Sequence, residues 1–336
     1  MFRYLIRRVL WAMVLFVAVT IVTYVIFYAI PADPARLACG QRATAECIKR
    51  AAHYLGTDKP LYVQYGRFFG RLMPVAGLNP TNNFAPHFKT PSLGRSFTNR
   101  LSVNYVVTQA APVTASLVFG GAVFWLLIAL PIGILSALRP RSLLDRIAMV
   151  FVLIGISAHP VWIGLLMAYF LGFKAGIFPI TGYCDFFSPS GDCGGPVQWA
   201  YHLILPWATF AFLFAALYVR MIRANVMEAL GEDYVRTARA KGAPESVVMR
   251  SHVLRNALLP VVTMLGMDIG IALGGAIFTE SVYGLNGLGK TALNAIFNFD
   301  LPVTQGVVVF ATLCIILFNL LVDVLYAWID PRIRLT

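Results

Sequence analysis

Six stretches of this chain stay apolar for about twenty residues or more, and that restricts the fold more than anything else in the sequence. They run approximately from Val9 to Ile30, Val113 to Leu138, Ile147 to Leu171, Leu203 to Met221, Leu259 to Val282 and Val303 to Ile329. A helix rises about 1.5 Å per residue, so about 20 residues cross a hydrocarbon core of about 30 Å. Backbone exposed to lipid must satisfy its own hydrogen bonds, and these runs lack the alternation of barrel strands, so each predicts a helix. The expected fold class is an all-α integral membrane protein with six transmembrane helices. Composition agrees: only 12% of the 336 residues are charged, too few to coat a soluble surface, while 59% are hydrophobic. The mean hydropathy of +0.73 places the surplus apolar area against lipid.

Arg3, Arg7 and Arg8 precede the first run, as they would in a secretory signal peptide. The apolar core of a signal is about 7 to 15 residues long and ends at small residues. This run continues to Pro31-Ala-Asp-Pro34, so a retained anchor is expected. The remaining Lys and Arg gather between apolar runs, so the net charge of +12 reflects topology, and nucleic acid is not expected as a partner. Fifteen Lys and Arg lie on the side of the N-terminus, Arg139 to Arg146, Arg220 to Arg255 and the tail. The short loops of the other side carry only Lys174 and Lys290, and the long segment from Ala32 to Ala111 counts for little in the positive-inside rule. Both termini are therefore expected in the cytoplasm.

That orientation puts Cys39 with Cys47, and Cys184 with Cys193, outside, where disulfides persist. Two short-loop disulfides are expected, free thiols being the alternative. Neither pair has the Cys-x-x-Cys spacing of a zinc site, and Cys314, inside an apolar run, reads as a small core residue.

The most informative stretch lies between the fourth and fifth runs. Gly231 and Gly242-Ala-Pro244 punctuate it and good helix formers fill the intervals, which predicts short helices from about Glu232 to Lys241 and from about Glu245 to Leu254, parallel to the membrane. A basic element attracted to anionic lipid would have this composition. A partner-docking element fits better, because Ala238, Ala240 and Gly242 allow close approach and Asp233, Arg236 and Arg239 offer charged contacts around them.

Gly231-Glu-Asp-Tyr-Val-Arg-Thr-Ala-Arg-Ala-Lys-Gly242, followed by Arg255-Asn-Ala-Leu-Leu-Pro260, resembles the coupling loop of bacterial peptide-type ABC importer permeases, the oligopeptide and dipeptide group. Agreement extends along nearly the whole chain. It includes Arg3-Tyr-Leu-Ile-Arg-Arg8, Pro31-Ala-Asp-Pro34, Leu55-Gly-Thr-Asp-Lys-Pro60, Leu93-Gly-Arg-Ser-Phe97, Gly284-Leu-Asn-Gly-Leu-Gly289, Val322-Asp323 and Asp330-Pro-Arg-Ile-Arg334. The resemblance implies a type I ABC importer permease fold: residues 1–111 as one span with a long outer segment, 112–329 as a five-span core with a coupling loop at 222–258, and 330–336 as a cytoplasmic tail. It also implies that Glu232, Asp233, Tyr234, Arg236, Thr237, Ala238, Arg239 and Gly242 couple the spans to a cytoplasmic ATPase. Arg236, Thr237, Ala238 and Gly242 occupy the Glu-Ala-Ala-x-x-x-Gly positions of the wider permease signature. Arg236 stands where that signature has Glu, Arg255 near where other permeases have Pro, and Ala32 where Gly is usual.

The implied partners are a second homologous permease subunit, two ABC ATPase subunits inside, a substrate-binding protein outside, and a peptide cargo. No cofactor is expected on this chain; ATP and Mg belong to the ATPase subunits, so the chain is no enzyme. The setting implied is the bacterial inner membrane. A nickel-chelate or glutathione importer shares the architecture, and a self-contained channel, carrier or membrane enzyme is a different class. No catalytic set supports the last of these.

Gly284-Leu-Asn-Gly-Leu-Gly-Lys-Thr291 matches the phosphate-binding pattern Gly-x-x-x-x-Gly-Lys-Thr. That pattern needs a strand before it, and here an apolar span precedes it on the outer side, so nucleotide binding is not expected. In the fifth run, Gly266, Gly270 and Gly274 align every fourth residue as a helix-packing ridge. Asp268 lies about 200° round the helix from Gly266 and shares a stripe with Ala272, Gly275 and Thr279. An ionisable group at membrane depth costs about 2.5 kcal/mol or more, so this face is expected to line the translocation path, a structural hydrogen bond from Asp268 being the alternative. His159 before Pro160 marks either a broken helix beside a cavity, and hence a path residue, or a satisfied core histidine. Asp323 is placed to reach the interface or pair with an arginine.

Overall fold

The computed structural model describes residues 2–29, 34–39, 44–55, 59–72, 92–187 and 193–329. The expected tail 330–336 and most of the Pro31-Ala-Asp-Pro34 motif lie outside the described residues. The helices are α1 (Phe2–Tyr24), α2 (Pro34–Cys39), α3 (Ala45–Leu55), α4 (Leu61–Leu72), α5 (Val103–Leu138), α6 (Leu143–Ser157), α7 (Pro160–Met167), α8 (Pro196–Gly231), α9 (Asp233–Ala240), α10 (Glu245–Val247), α11 (Arg255–Ala257), α12 (Leu259–Ala272), α13 (Ile277–Val282), α14 (Leu288–Phe297) and α15 (Leu301–Ile329). An isolated β bridge pairs Arg95 with Ser102.

Four helical stretches are unbroken and long and apolar enough to cross a membrane: Ile6–Tyr28, Val103–Leu138, Pro196–Gly231 and Leu301–Val324. Two others are bent pairs, Leu143–Ser157 with Pro160–Lys174 at 110° and Glu245–Ala257 with Leu259–Ala272 at 43°, and counting each pair as one span gives six. The third apolar run is thus not the single helix that Ile147 to Leu171 suggested. Pro160 is the cause, since the residue before a proline is pushed out of the helical region, and His159 adopts φ −76° and ψ 138°. The fifth run breaks as well: α12 stops at Ala272 and α13 restarts at Ile277. Gly275 in that turn has φ +135°, which a side chain rarely tolerates, and a Cβ there would lie 2.6 Å from the backbone nitrogen of Gly289.

Helices α5 and α8 form the centre. Of the most apolar window of α8, 61% is buried within the chain, against 17% for α1 and for α15, so the latter two take the outer positions. Trp125 of α5 stacks on Phe214 of α8 with ring centroids 4.7 Å apart and also meets Phe210 and Tyr218. Between lipid-solvated helices such packing replaces the hydrophobic effect as the adhesive, and small residues permit it. Gly133 serves this role: a Cβ there would come within 2.9 Å of Ile222. The ridge of Gly266, Gly270 and Gly274 packs against α15, on Val322, on Phe318 and Ile315, and on Ala311 respectively.

One end of the bundle gathers the arginine-rich loops. Arg8 of α1 pairs with Asp323 of α15 at 3.0 Å, and Val322 beside Asp323 meets Gly266 midway along α12. Asn225 of α8 donates to the Ala257 carbonyl at 3.2 Å, joining that level to the segment that leads into α12. The opposite end carries α4, α14 and the loop at Leu93–Leu101. Asp300 holds that loop by accepting from the Ser96 hydroxyl and from the backbone N–H of Phe97 at 3.0 Å and Thr98 at 3.3 Å.

Candidate functional site

Helix α9 is the segment whose sequence asked for a partner. Val235 and Ala238, three residues apart, point inward and are 0% and 8% exposed, packing with Val248 and Val253 of the π-wound segment Val248–Leu254 and with the lower part of α8. Glu232, Asp233, Tyr234, Arg236, Thr237, Arg239, Ala240 and Gly242 all face outward. Ala238 therefore forms the seat of the helix rather than its outer face, a correction to its placement among the small residues offered to a partner. The helix ends in a Schellman turn: Gly242 donates to the Arg239 carbonyl at 2.9 Å and Ala243 to that of Ala238 at 3.2 Å, with Gly242 at φ +80°. Arg239 then clasps Glu245 at 2.5 Å, closing the corner into the next helix, and this guanidinium holds the Glu245 carboxyl below the usual range. Arg236 pairs with Asp233 at 3.6 Å in full view of solvent, a contact worth little by itself.

Asp145 of α6, which no sequence motif marked, joins three helices. It is 5% exposed and receives Arg223 of α8 twice, Nε at 2.7 Å and a terminal nitrogen at 3.0 Å. Ser136 of α5 donates to it at 2.5 Å and the Arg141 backbone N–H at 2.8 Å. The local signal was present in Ser142, which caps α6 by accepting from the Asp145 N–H at 3.3 Å.

Asp268 is half-buried in α12 and accepts from the Tyr218 hydroxyl of α8 at 2.7 Å. The expected stripe does not continue past it as one face. Ala272 and Thr279 are buried, and the break at Gly274-Gly275 puts Gly275 and Thr279 on a different helical register from Asp268. His159 is exposed, caps α7 by accepting from the Val161 N–H at 3.3 Å, and lies edge-on to Phe278 of α13 at 5.0 Å. Its contacts are separate from those of Asp268.

The phosphate-binding pattern is already occupied from within. At the start of α14 the Lys290 N–H donates to Glu280 at 2.8 Å and the Leu288 N–H to Thr114 at 2.8 Å. Glu280, 0% exposed, also accepts from the Thr114 hydroxyl at 2.8 Å and the Ala276 N–H at 3.2 Å. A helix, not a strand, precedes the glycines, and the N-terminus that would cradle phosphate is filled by the chain's own carboxyl group. Glu280→Gln should lower the thermal midpoint of the purified protein, because an amide brings a donor against these donors at a cost of about 1–3 kcal/mol. An unchanged midpoint would show that the three bonds contribute nothing.

Cys39 is bonded to Cys47, with Cα atoms 6.1 Å apart, and Cys184 to Cys193, at 5.2 Å. His202 Nδ1 stands 3.3 Å from the Cys184 sulfur. Cys314 is free and half-buried.

Two family descriptions match the chain: "Binding-protein-dependent transport system inner membrane component" over residues 129–335, and the N-terminal membrane component of the same systems over residues 1–118. The chain is 36% identical to the "Probable D,D-dipeptide transport system permease protein DdpB" of Escherichia coli strain K12, covering 98% of this chain and 97% of that one. It is 32% identical to the "Dipeptide transport system permease protein DppB" of the same organism, covering 99% of each. Among solved structures it resembles a chain of the MetNI methionine ABC transporter in inward-facing conformations, with a TM-score of 0.53 and 19% identity, over 68% of this chain and 97% of that one. That likeness concerns the fold.

Proposed function

The chain belongs to the family of binding-protein-dependent transport system inner membrane components, a multi-pass membrane permease, and from that premise we propose that it forms half of the pathway of an ATP-driven importer for di- and oligopeptides. The observation that carries the mechanism is the division of α9. Its inward side is fixed to α8 and to the segment that leads into α12, while its outward side presents Asp233, Tyr234, Arg236, Thr237 and Arg239. A short helix anchored on one side and bare on the other can pass a push from a docked body into the spans behind it. In this reading the body is an ATPase subunit, ATP and Mg reside there, and hydrolysis occurs there. The end of the bundle that carries α9 and the arginine-rich loops faces the cytoplasm. A second permease subunit completes the pathway, and a binding protein delivers cargo at the opposite end.

Asp268 is assigned to the pathway, with Tyr218 holding its carboxyl in one orientation. Asp268→Asn keeps a partner for the Tyr218 hydroxyl and removes the chance of a negative charge. In the transporter assembled with its partners, it should lower peptide uptake and peptide-stimulated ATP hydrolysis together while leaving assembly intact. Unchanged values for both would remove Asp268 from the pathway. If no peptide stimulates hydrolysis in the wild-type assembly, the cargo assignment fails while the architecture stands.

A further inference from the structure

A cavity of about 310 Å³ opens where the helical segment Glu245–Ala257 bends into Leu259–Ala272. Its lining divides by chemistry: Leu254, Leu258, Leu259 and Val262 are apolar, and Arg250 and Arg255 are cationic. Both arginines are exposed, and neither has an ion pair or side-chain hydrogen bond among the described residues. Arg223, Arg236 and Arg239, by contrast, each have a carboxyl partner. The segment before the bend is wound as a π-helix, whose i→i+5 closure brings residues about five apart, such as Arg250 and Arg255, toward one side.

Two unpaired guanidinium groups beside a hydrocarbon floor, at the point where a loop helix becomes a span, match a molecule with an anionic head and an apolar body. We propose that this cavity holds the phosphate of one anionic phospholipid of the cytoplasmic leaflet. The guanidinium groups take its oxygens, and Leu254, Leu258, Leu259 and Val262 lie along the first methylenes of its chains. The outer face of α9 that the ATPase would meet is formed by other residues, so the two ligands do not compete for side chains. The lipid sits on the bend itself, where it would stiffen the joint between the docking helices and α12. From the preceding section this inference takes only the orientation that puts α9 in the cytoplasm.

The test uses the transporter purified with its partner subunits from membranes that contain phosphatidylglycerol and phosphatidylethanolamine. By native mass spectrometry the wild type should retain phosphatidylglycerol, and the double variant R250Q/R255Q should retain roughly thirtyfold less, as expected for two lost cationic contacts, with phosphatidylethanolamine unchanged. A photo-cross-linking residue in place of Leu258, in an otherwise unaltered chain, should yield a phospholipid adduct. Equal phosphatidylglycerol retention by wild type and double variant overturns the proposal, as does a cross-link from position 258 to an ATPase or permease subunit. If the double variant does not assemble, the adduct decides alone. Lipid retention is independent of cargo, so it can fail while peptide-stimulated hydrolysis persists, and the reverse.

Discussion

Ala238→Glu should uncouple the transporter while leaving the bundle folded. Ala238 is 8% exposed in the seat of α9, so a carboxylate there must either be buried without a partner or drive the helix off its seat. Burial of an unpaired charge costs well over about 3 kcal/mol, so undocking is the cheaper outcome, and the docked population falls on the order of a hundredfold. Peptide uptake should fall accordingly. ATP hydrolysis by the assembly should lose its response to peptide, while the thermal midpoint moves little because the spans do not depend on this contact. Normal uptake by this variant would mean that the seat of α9 transmits nothing. Ala238→Ser, which is small and can hydrogen-bond within its own turn, is the control that should retain most activity.

The second large effect is structural. Asp145→Ala removes the acceptor shared by Ser136, Arg141 and Arg223, and it leaves a guanidinium only 24% exposed facing an empty place. Loss of one partner from such a pair costs about 3 kcal/mol or more, which should lower the thermal midpoint by about 5 °C or more. The double variant Asp145→Ala with Arg223→Ala should be less destabilised than the sum of the single variants, since neither charge is then stranded. Strict additivity of the two would show that the pair is not coupled.

What the sequence disclosed, and what it withheld, follows from the range of the forces involved. Apolar runs and the Gly231 to Gly242 interval are local patterns; the interval and four of the runs became the helices they predicted, while the runs from Ile147 and from Leu259 broke at Pro160 and at Gly274-Gly275. Gly266, Gly270 and Gly274 were legible as a packing ridge because their spacing alone sets one face, though only the structure names α15 as its partner. The stripe through Asp268, Ala272, Gly275 and Thr279 failed because it assumed that the helix runs on. The break at Gly275 depends on the close approach of Gly289, fourteen residues further along the chain. Asp145 and Glu280 were passed over, yet each stands next to or within an apolar run where an acidic residue costs several kcal/mol unless partnered. Glu280 lies in the same apolar run as Asp268 and carries the same insertion cost. Its partners, Thr114 and the turn before α14, come from distant parts of the sequence and could not be read in advance.

The division of α9 also limits how such a chain can be altered by exchange of parts. Because Val235 and Ala238 interlock with Val248 and Val253, a graft of residues 233–241 from another permease would bring the foreign outer face but the wrong underside. In the proposed function, recognition and transmission are built on opposite sides of the same two turns. A transplant that changes the choice of engine without breaking the linkage must therefore include the segment through Leu254 and the foot of α8, moved as one block.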